Sequence, residues 1–179
     1  IAEIKKIDGV AAVTGVAQNM EMKGDAGLGI RQIDGVDFAT YTTVSTIRMV
    51  QGEGLPDKGD VAIVDENQGA KKNSKIGDFI ESMDRKFKIV GVYAPEAGAR
   101  IKIPLATMQE GLNAKDKCSM ILVKCQHTEA QDAVARRIDE AAANQLAPFR
   151  EDPFMLGYFI GNEPPWPGRE SQLCDAILS

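Results

Sequence analysis

The chain has 179 residues, 44% of them hydrophobic and 26% charged, with a formal net charge of −5. That length suits one ordinary domain or two small lobes, and the apolar share supports a real core, which excludes a globally disordered chain. The acidic balance argues against non-specific binding to nucleic acid or anionic lipid, and the longest apolar runs fall far short of the roughly 20 residues a membrane helix needs.

Ile1, Ile4 and Ile7 have helical spacing and Gly9 suits a helix stop, so residues 1–8 read as the end of a helix. The chain opens without Met, signal peptide or lipidation motif, as expected of a piece of a longer protein. A strand is predicted over 10–21, a turn or loop over 23–29, and a second strand over 30–36, interrupted by Gly35. The β-branched run 42–50 predicts a strand closed by the Gly- and Pro-containing segment 51–56. Residues 60–64 read as a short buried strand, 65–75 as a short helix, and 76–78 as a turn into the segment 79–82. A strand over 86–93 follows. The short strand 101–104 is one that Pro104 ends or pushes to an edge.

Residues 105–112 predict a short helix and 119–124 a buried strand. The best helix then starts at Thr128, which with Gln131 has the spacing of a capping box. Ala130, Val134, Ile138, Ala141 and Leu146 make its apolar stripe. Asp132 with Arg136, and Arg136 with Glu140, fall at i,i+4 on the opposite side. A helix, many strands and then strand–helix is an α+β pattern rather than regular βαβ repetition.

Chemistry-bearing constellations are sparse. A single His127 and no Gly-x-Ser-x-Gly leave nothing for a serine-type triad, and His127 reads as a surface residue. One His and no Cys-x-x-Cys argue against zinc, and no metal or cofactor is expected. Cys118 and Cys125 flank one predicted strand, which at ~3.3 Å per residue holds them roughly 23 Å apart, too far to bridge. Cys174 lies in the tail. The glycines of 24–29 lack the Lys-Ser/Thr of a phosphate loop. Asp65-Glu66 sits at a predicted helix start, where carboxylates serve as caps and complement the macrodipole. Lys71, Lys72 and Lys75 read as a solvated loop.

The order of short motifs is more informative. Ile4-Lys-Lys-Ile-Asp-Gly-Val-Ala-Ala-Val13 is followed by Ile33-Asp-Gly-Val-Asp37, then Gly59-Asp-Val-Ala-Ile-Val64, then Ile76-Gly-Asp78, then Phe87-Lys-Ile-Val-Gly-Val92. Pro104-Leu-Ala-Thr-Met-Gln109 opens a helix, and 118–145 closes with a strand and a long helix. Over residues 1–147 this series resembles the MacB-like periplasmic core domain of ABC-transporter permeases, a group that includes LolC- and FtsX-like proteins. The resemblance implies an α+β, two-lobed fold. A helix-on-sheet lobe of about 1–35 and 105–147 carries an inserted, mostly-β lobe of about 36–104. It also implies a non-catalytic domain on the periplasmic or extracellular side of the membrane. Such a domain conveys ATP-driven motion to a partner or lipid-linked substrate. Its expected partners are another permease subunit and a cytoplasmic ATPase, with no nucleic acid.

Residues 148–179 look foreign to that family. Asp152-Pro-Phe-Met-Leu-Gly-Tyr-Phe-Ile160 is a continuous apolar run suited to a strand buried on both faces, and Gly161-Asn-Glu163 follows it. This segment resembles strand four of (β/α)₈-barrel glycoside hydrolases, where Glu163 would be the acid/base carboxylate and Trp166 could stack on a sugar ring. Glycoside hydrolysis needs a second carboxylate, and only 16 residues follow Glu163. The segment is therefore expected to be a fusion joined near 144–150, or a strand completing the first lobe. The alternative reading of the whole is a fragment of a carbohydrate-active enzyme.

Overall fold

The computed structural model describes residues 1–23, 29–71 and 74–147. They fall into two compact units, Ile1–Val134 and the residues from Ala135 onward. The first is built on strands β1 (Val10–Lys23), β2 (Gly29–Val36), β3 (Arg48–Gly52), β4 (Val61–Asp65), β5 (Phe79–Ser82), β6 (Arg85–Ala94), β7 (Ile101–Pro104) and β8 (Met120–Cys125). All eight join in one mixed sheet of order β3-β6-β4-β7-β2-β1-β8, with β5 also pairing β6. The β2–β7 and β4–β6 ladders are parallel and the others antiparallel.

Both faces of this sheet are covered, because alternate residues of its central strands are apolar on each side. On one face Ala17, Ile33, Val64, Phe87, Ile89, Ile101 and Ile103 pack beneath Met108 of helix α3 (Leu105–Gly111). On the other, Val16, Val36, Ile47, Leu55, Ile63 and Tyr93 pack with Tyr41 of helix α1 (Phe38–Val44). The expected α+β class is what the molecule has, and the first and last strands lie side by side in the antiparallel β1–β8 ladder.

Helix α1 replaces the first part of the strand expected over 42–50. Asp37 caps it by accepting from the Thr40 amide at 2.8 Å. The Thr42 and Thr43 hydroxyls donate back to the carbonyls of Phe38 and Ala39 at 2.9 and 3.0 Å. A cap worth about 1 kcal/mol and the burial of Tyr41 outweigh the small β preference of threonine. Only Arg48–Gly52 remains extended.

Other boundaries also moved. The expected helix over 1–8 is a single 3-10 turn, Ile4–Lys6, too short to be nucleated and burying nothing. The helix expected over 65–75 is only α2 (Glu66–Gly69), begun by the Asp65 cap and closed at a glycine. Strand β7 is not at an edge. It lies between β4 and β2 with all four residues buried, and Pro104 sits at its end, where the chain turns into α3 and needs no ladder amide. Strand β8 is the outermost strand rather than a buried one, with Ile121 exposed.

The last helix, α4 (Gln131–Leu146), enters through a 3-10 turn at Thr128–Ala130. His127 rather than Thr128 is therefore the residue before the turn, and it gives no side-chain cap. Val134 is buried within the first unit, while Asp132 faces solvent. In the second unit Ile138 and Ala141 are half-buried and Arg136 and Glu140 exposed, as the predicted stripe requires, while the side chain of Leu146 lies outside the described residues. No described helix is long and apolar enough to cross a membrane.

Candidate functional site

The most unusual chemistry of the first unit lies inside it. In the parallel β2–β7 ladder Asp34 stands opposite Lys102, and Lys102 stands opposite Ile63 of β4. Alternation places these residues on the face covered by α1, so both charges are enclosed. Lys102 is 0% exposed and Asp34 2%. Their charged atoms are 3.6 Å apart.

Burying an ion pair costs several kcal/mol per ion unless the remaining donors and acceptors are satisfied. Here they are. The Lys102 ammonium donates to the Ala97 and Ala99 carbonyls at 2.5 and 2.8 Å. It also lies 5.1 Å from the ring centre of Tyr41 and 5.0 Å from that of Tyr93, within cation–π range. Asp34 Oδ2 accepts from the Ala99 amide at 2.8 Å. Its Oδ1 accepts from Gln18 at 3.2 Å and Gln32 at 3.3 Å. The Tyr93 hydroxyl donates to Ala99 O at 2.9 Å and that of Tyr41 to Ala97 O at 3.4 Å. The loop over 95–100 is thus held by four strands and helices at once.

Desolvation dominates the electrostatics. It pulls the Lys102 ammonium down to about 8, against the attraction of Asp34, so the group is still charged at neutral pH. Burial, with the Asp34 carboxylate nearby, pushes Tyr41 up to about 12. It raises Tyr93 as well, helped by Asp65.

Above this centre is an open groove of about 650 Å³. The β2–β7 ladder starts at Ile33 and Ile101, and before that point β2 runs on over 29–32 opposite the loop that precedes β7. Gln32 on one wall and Ala99 on the other are both bonded to Asp34, so the buried centre sets the width of the groove. Arg31, Lys71, Ser74 and Arg100 complete the lining that matters chemically. Arg31 is paired with Glu21, and Arg100 with Glu96 at 3.3 Å and Asp65 at 3.9 Å.

Of the residues singled out from the sequence, Lys71 lines the groove and the others are elsewhere. Asp65 caps α2 by accepting from the Gln68 amide at 2.6 Å, as expected, and Glu66 is exposed. His127 is exposed. Cys118 and Cys125 are both free. Glu163, Trp166, Cys174, the apolar run 152–160, Lys72 and residues 24–28 lie outside the described residues. No group of carboxylates, cysteines and histidine fit for a metal occurs among the described residues. The Asp34–Lys102 pair was missed because a lysine between two isoleucines reads as the outward residue of a half-exposed strand.

Three comparisons bear on identity. The extracellular domain of the noncanonic ABC-type transporter YknZ from Gram-positive bacteria superposes with a TM-score of 0.58 at 16% identity, covering 79% of this chain and 81% of that one. The periplasmic region of MacB from Actinobacillus actinomycetemcomitans gives 0.55 at 16% identity, covering 78% and 71%. A domain of a putative permease protein from Porphyromonas gingivalis gives 0.52 at 16% identity, covering 82% and 70%. At such identities these likenesses show the fold alone. No curated protein sequence matches the chain. Residues 1–141 do match the family described as the MacB-like periplasmic core domain, which is most of the chain, and the chain belongs to that family.

Proposed function

We propose that this domain is a non-catalytic coupling element of an ABC-transporter permease. On this reading it works outside the membrane, beside a second permease subunit and a cytoplasmic ATPase, and relays ATP-driven motion to a periplasmic partner or a lipid-linked substrate. The extracytoplasmic location goes with the family. The mechanical role is supported by one observation above the rest, the sealed Asp34–Lys102 bridge.

We divide the first 147 residues into a lobe of about 1–35 and 105–147 and an inserted lobe of about 36–104. Asp34 then belongs to the first and Lys102 to the second. The seam between them is the four-residue parallel ladder of β2 with β7, reinforced by a buried charge pair and its hydrogen bonds. A seam of this kind transmits displacement rather than absorbing it, because breaking it exposes two uncompensated charges. The same centre is a poor catalyst. Lys102 is fully enclosed, so a substrate could not reach it.

The exposed Cys118 allows a direct test. In the full-length permease, with Cys125 and Cys174 replaced by serine, a spin label at Cys118 is paired with one on the ATPase. The distance distribution should shift between nucleotide-free and ATP-bound states. An identical distribution in both states would overturn the coupling role.

A further inference from the structure

We propose that the open edge of β2 over residues 29–32 is a docking site for an extended acidic peptide segment of a partner protein, which adds as a further strand in the groove. Two independent features carry this.

The first is the backbone. β2 pairs with β1 along all eight of its residues but with β7 only from Ile33 to Val36. In a strand, alternate residues turn N–H and C=O toward the same side. Two of the four residues 29–32 therefore present a donor and an acceptor to the groove. Among the described residues no backbone group answers them. An unpaired edge of this kind is a template for strand addition. Beyond the β7 ladder the β1–β2 hairpin is a two-stranded ribbon, tied on one face to Glu81, Ser82 and Met83 through Arg31 and Glu21 but with its in-plane edge on the groove side unpaired. One face of that ribbon carries Met20, Met22 and Ile30 at 65, 80 and 74% exposure.

The second is charge. Arg31, Lys71 and Arg100 line the groove, and among the described residues no Asp or Glu does. Arg31 and Arg100 are partly offset by carboxylates outside it, whereas Lys71 has no ion pair among the described residues. In a chain of net charge −5 the charged side chains lining this groove are nonetheless cationic. Such a lining selects a ligand with carboxylates. An incoming strand alternating apolar and acidic residues would place the former beside Ile30 and the latter beside the cations. Neither feature depends on the transport reading.

The test uses the whole chain and a fluorescent, end-capped octapeptide of alternating valine and glutamate. Two controls carry lysine in place of glutamate, or N-methyl groups on alternate amides. The acidic peptide should bind with an affinity that weakens with salt, and should slow hydrogen exchange at residues 29–32. Both controls should bind at least about tenfold more weakly. Lys71→Glu, at an exposed position that leaves the core intact, should weaken the acidic peptide about fivefold or more and improve the lysine peptide. Equal binding of all three peptides, binding without protection at 29–32, or no binding at millimolar peptide would each overturn the proposal.

Discussion

Replacing Asp34 by asparagine keeps the side-chain shape and removes the charge from the buried centre. The carboxylate accepts on both oxygens, Oδ2 from the Ala99 amide and Oδ1 from the Gln18 and Gln32 amides. Asparagine has one acceptor atom, so its NH₂ must face one of these sets of donors. The Lys102 ammonium, 0% exposed, would keep only two carbonyls and two ring faces. Removing one partner of a buried pair costs about 3–5 kcal/mol, a large part of the stability of a domain this size. The double variant Asp34→Leu/Lys102→Met should cost less than Asp34→Asn alone, since no charge is then left buried.

The pH dependence gives a second signature. Burial holds the folded Lys102 at about 8, below its free value of 10.5. Between those values the unfolded chain binds more protons than the folded one, so stability rises with pH across that window. The difference is worth about 3 kcal/mol. Lys102→Met should lack this rise. In Asp34→Asn the rise should begin below pH 8, because the attraction that holds the lysine proton is gone. Urea unfolding followed by circular dichroism at pH 6, 7.5, 9 and 10.5 measures all of these. A loss below about 1 kcal/mol for Asp34→Asn, or the same pH profile with and without Lys102, would refute the reasoning.

Gly98 has φ of +61°, and a Cβ there would meet Asp34 Oδ2 at 2.6 Å, so Gly98→Ala should destabilise by about 1–3 kcal/mol in the same urea assay. Burial pulls the Glu21 carboxyl up, but hydrogen bonds from Ser82 and Arg31 outweigh it and leave the group below 4.5. Its contribution is therefore present above pH 4.5 and lost as pH falls through the folded value, and Glu21→Gln should flatten acid unfolding in that range. The purified chain should turn over no aryl-glycoside in a chromogenic panel, and turnover abolished by Glu163→Gln would overturn the non-enzymatic reading.

Much of the architecture was legible in the sequence because it rests on local pattern. The strands expected over 10–21 and 86–93, the last helix and the Asp65 cap are consequences of residue type and local period, and they survived in the fold. The ordered motifs over residues 1–147 carried the family, whose match runs over 1–141. Composition could not say which strand is central. β7 and β8 are both short apolar runs with a lysine, yet one is sealed on both faces and the other is an outer strand. The run after Asp37 became helix because a cap and the burial of Tyr41 outweighed threonine's preference, and burial is decided by what packs above. The Asp34–Lys102 centre is the extreme case. The two residues are 68 positions apart in the chain, and each alone reads as a solvent-facing charge. Only the parallel register of β2 on β7 sets them opposite each other, and only burial on both faces of the sheet removes the water that would otherwise have screened them.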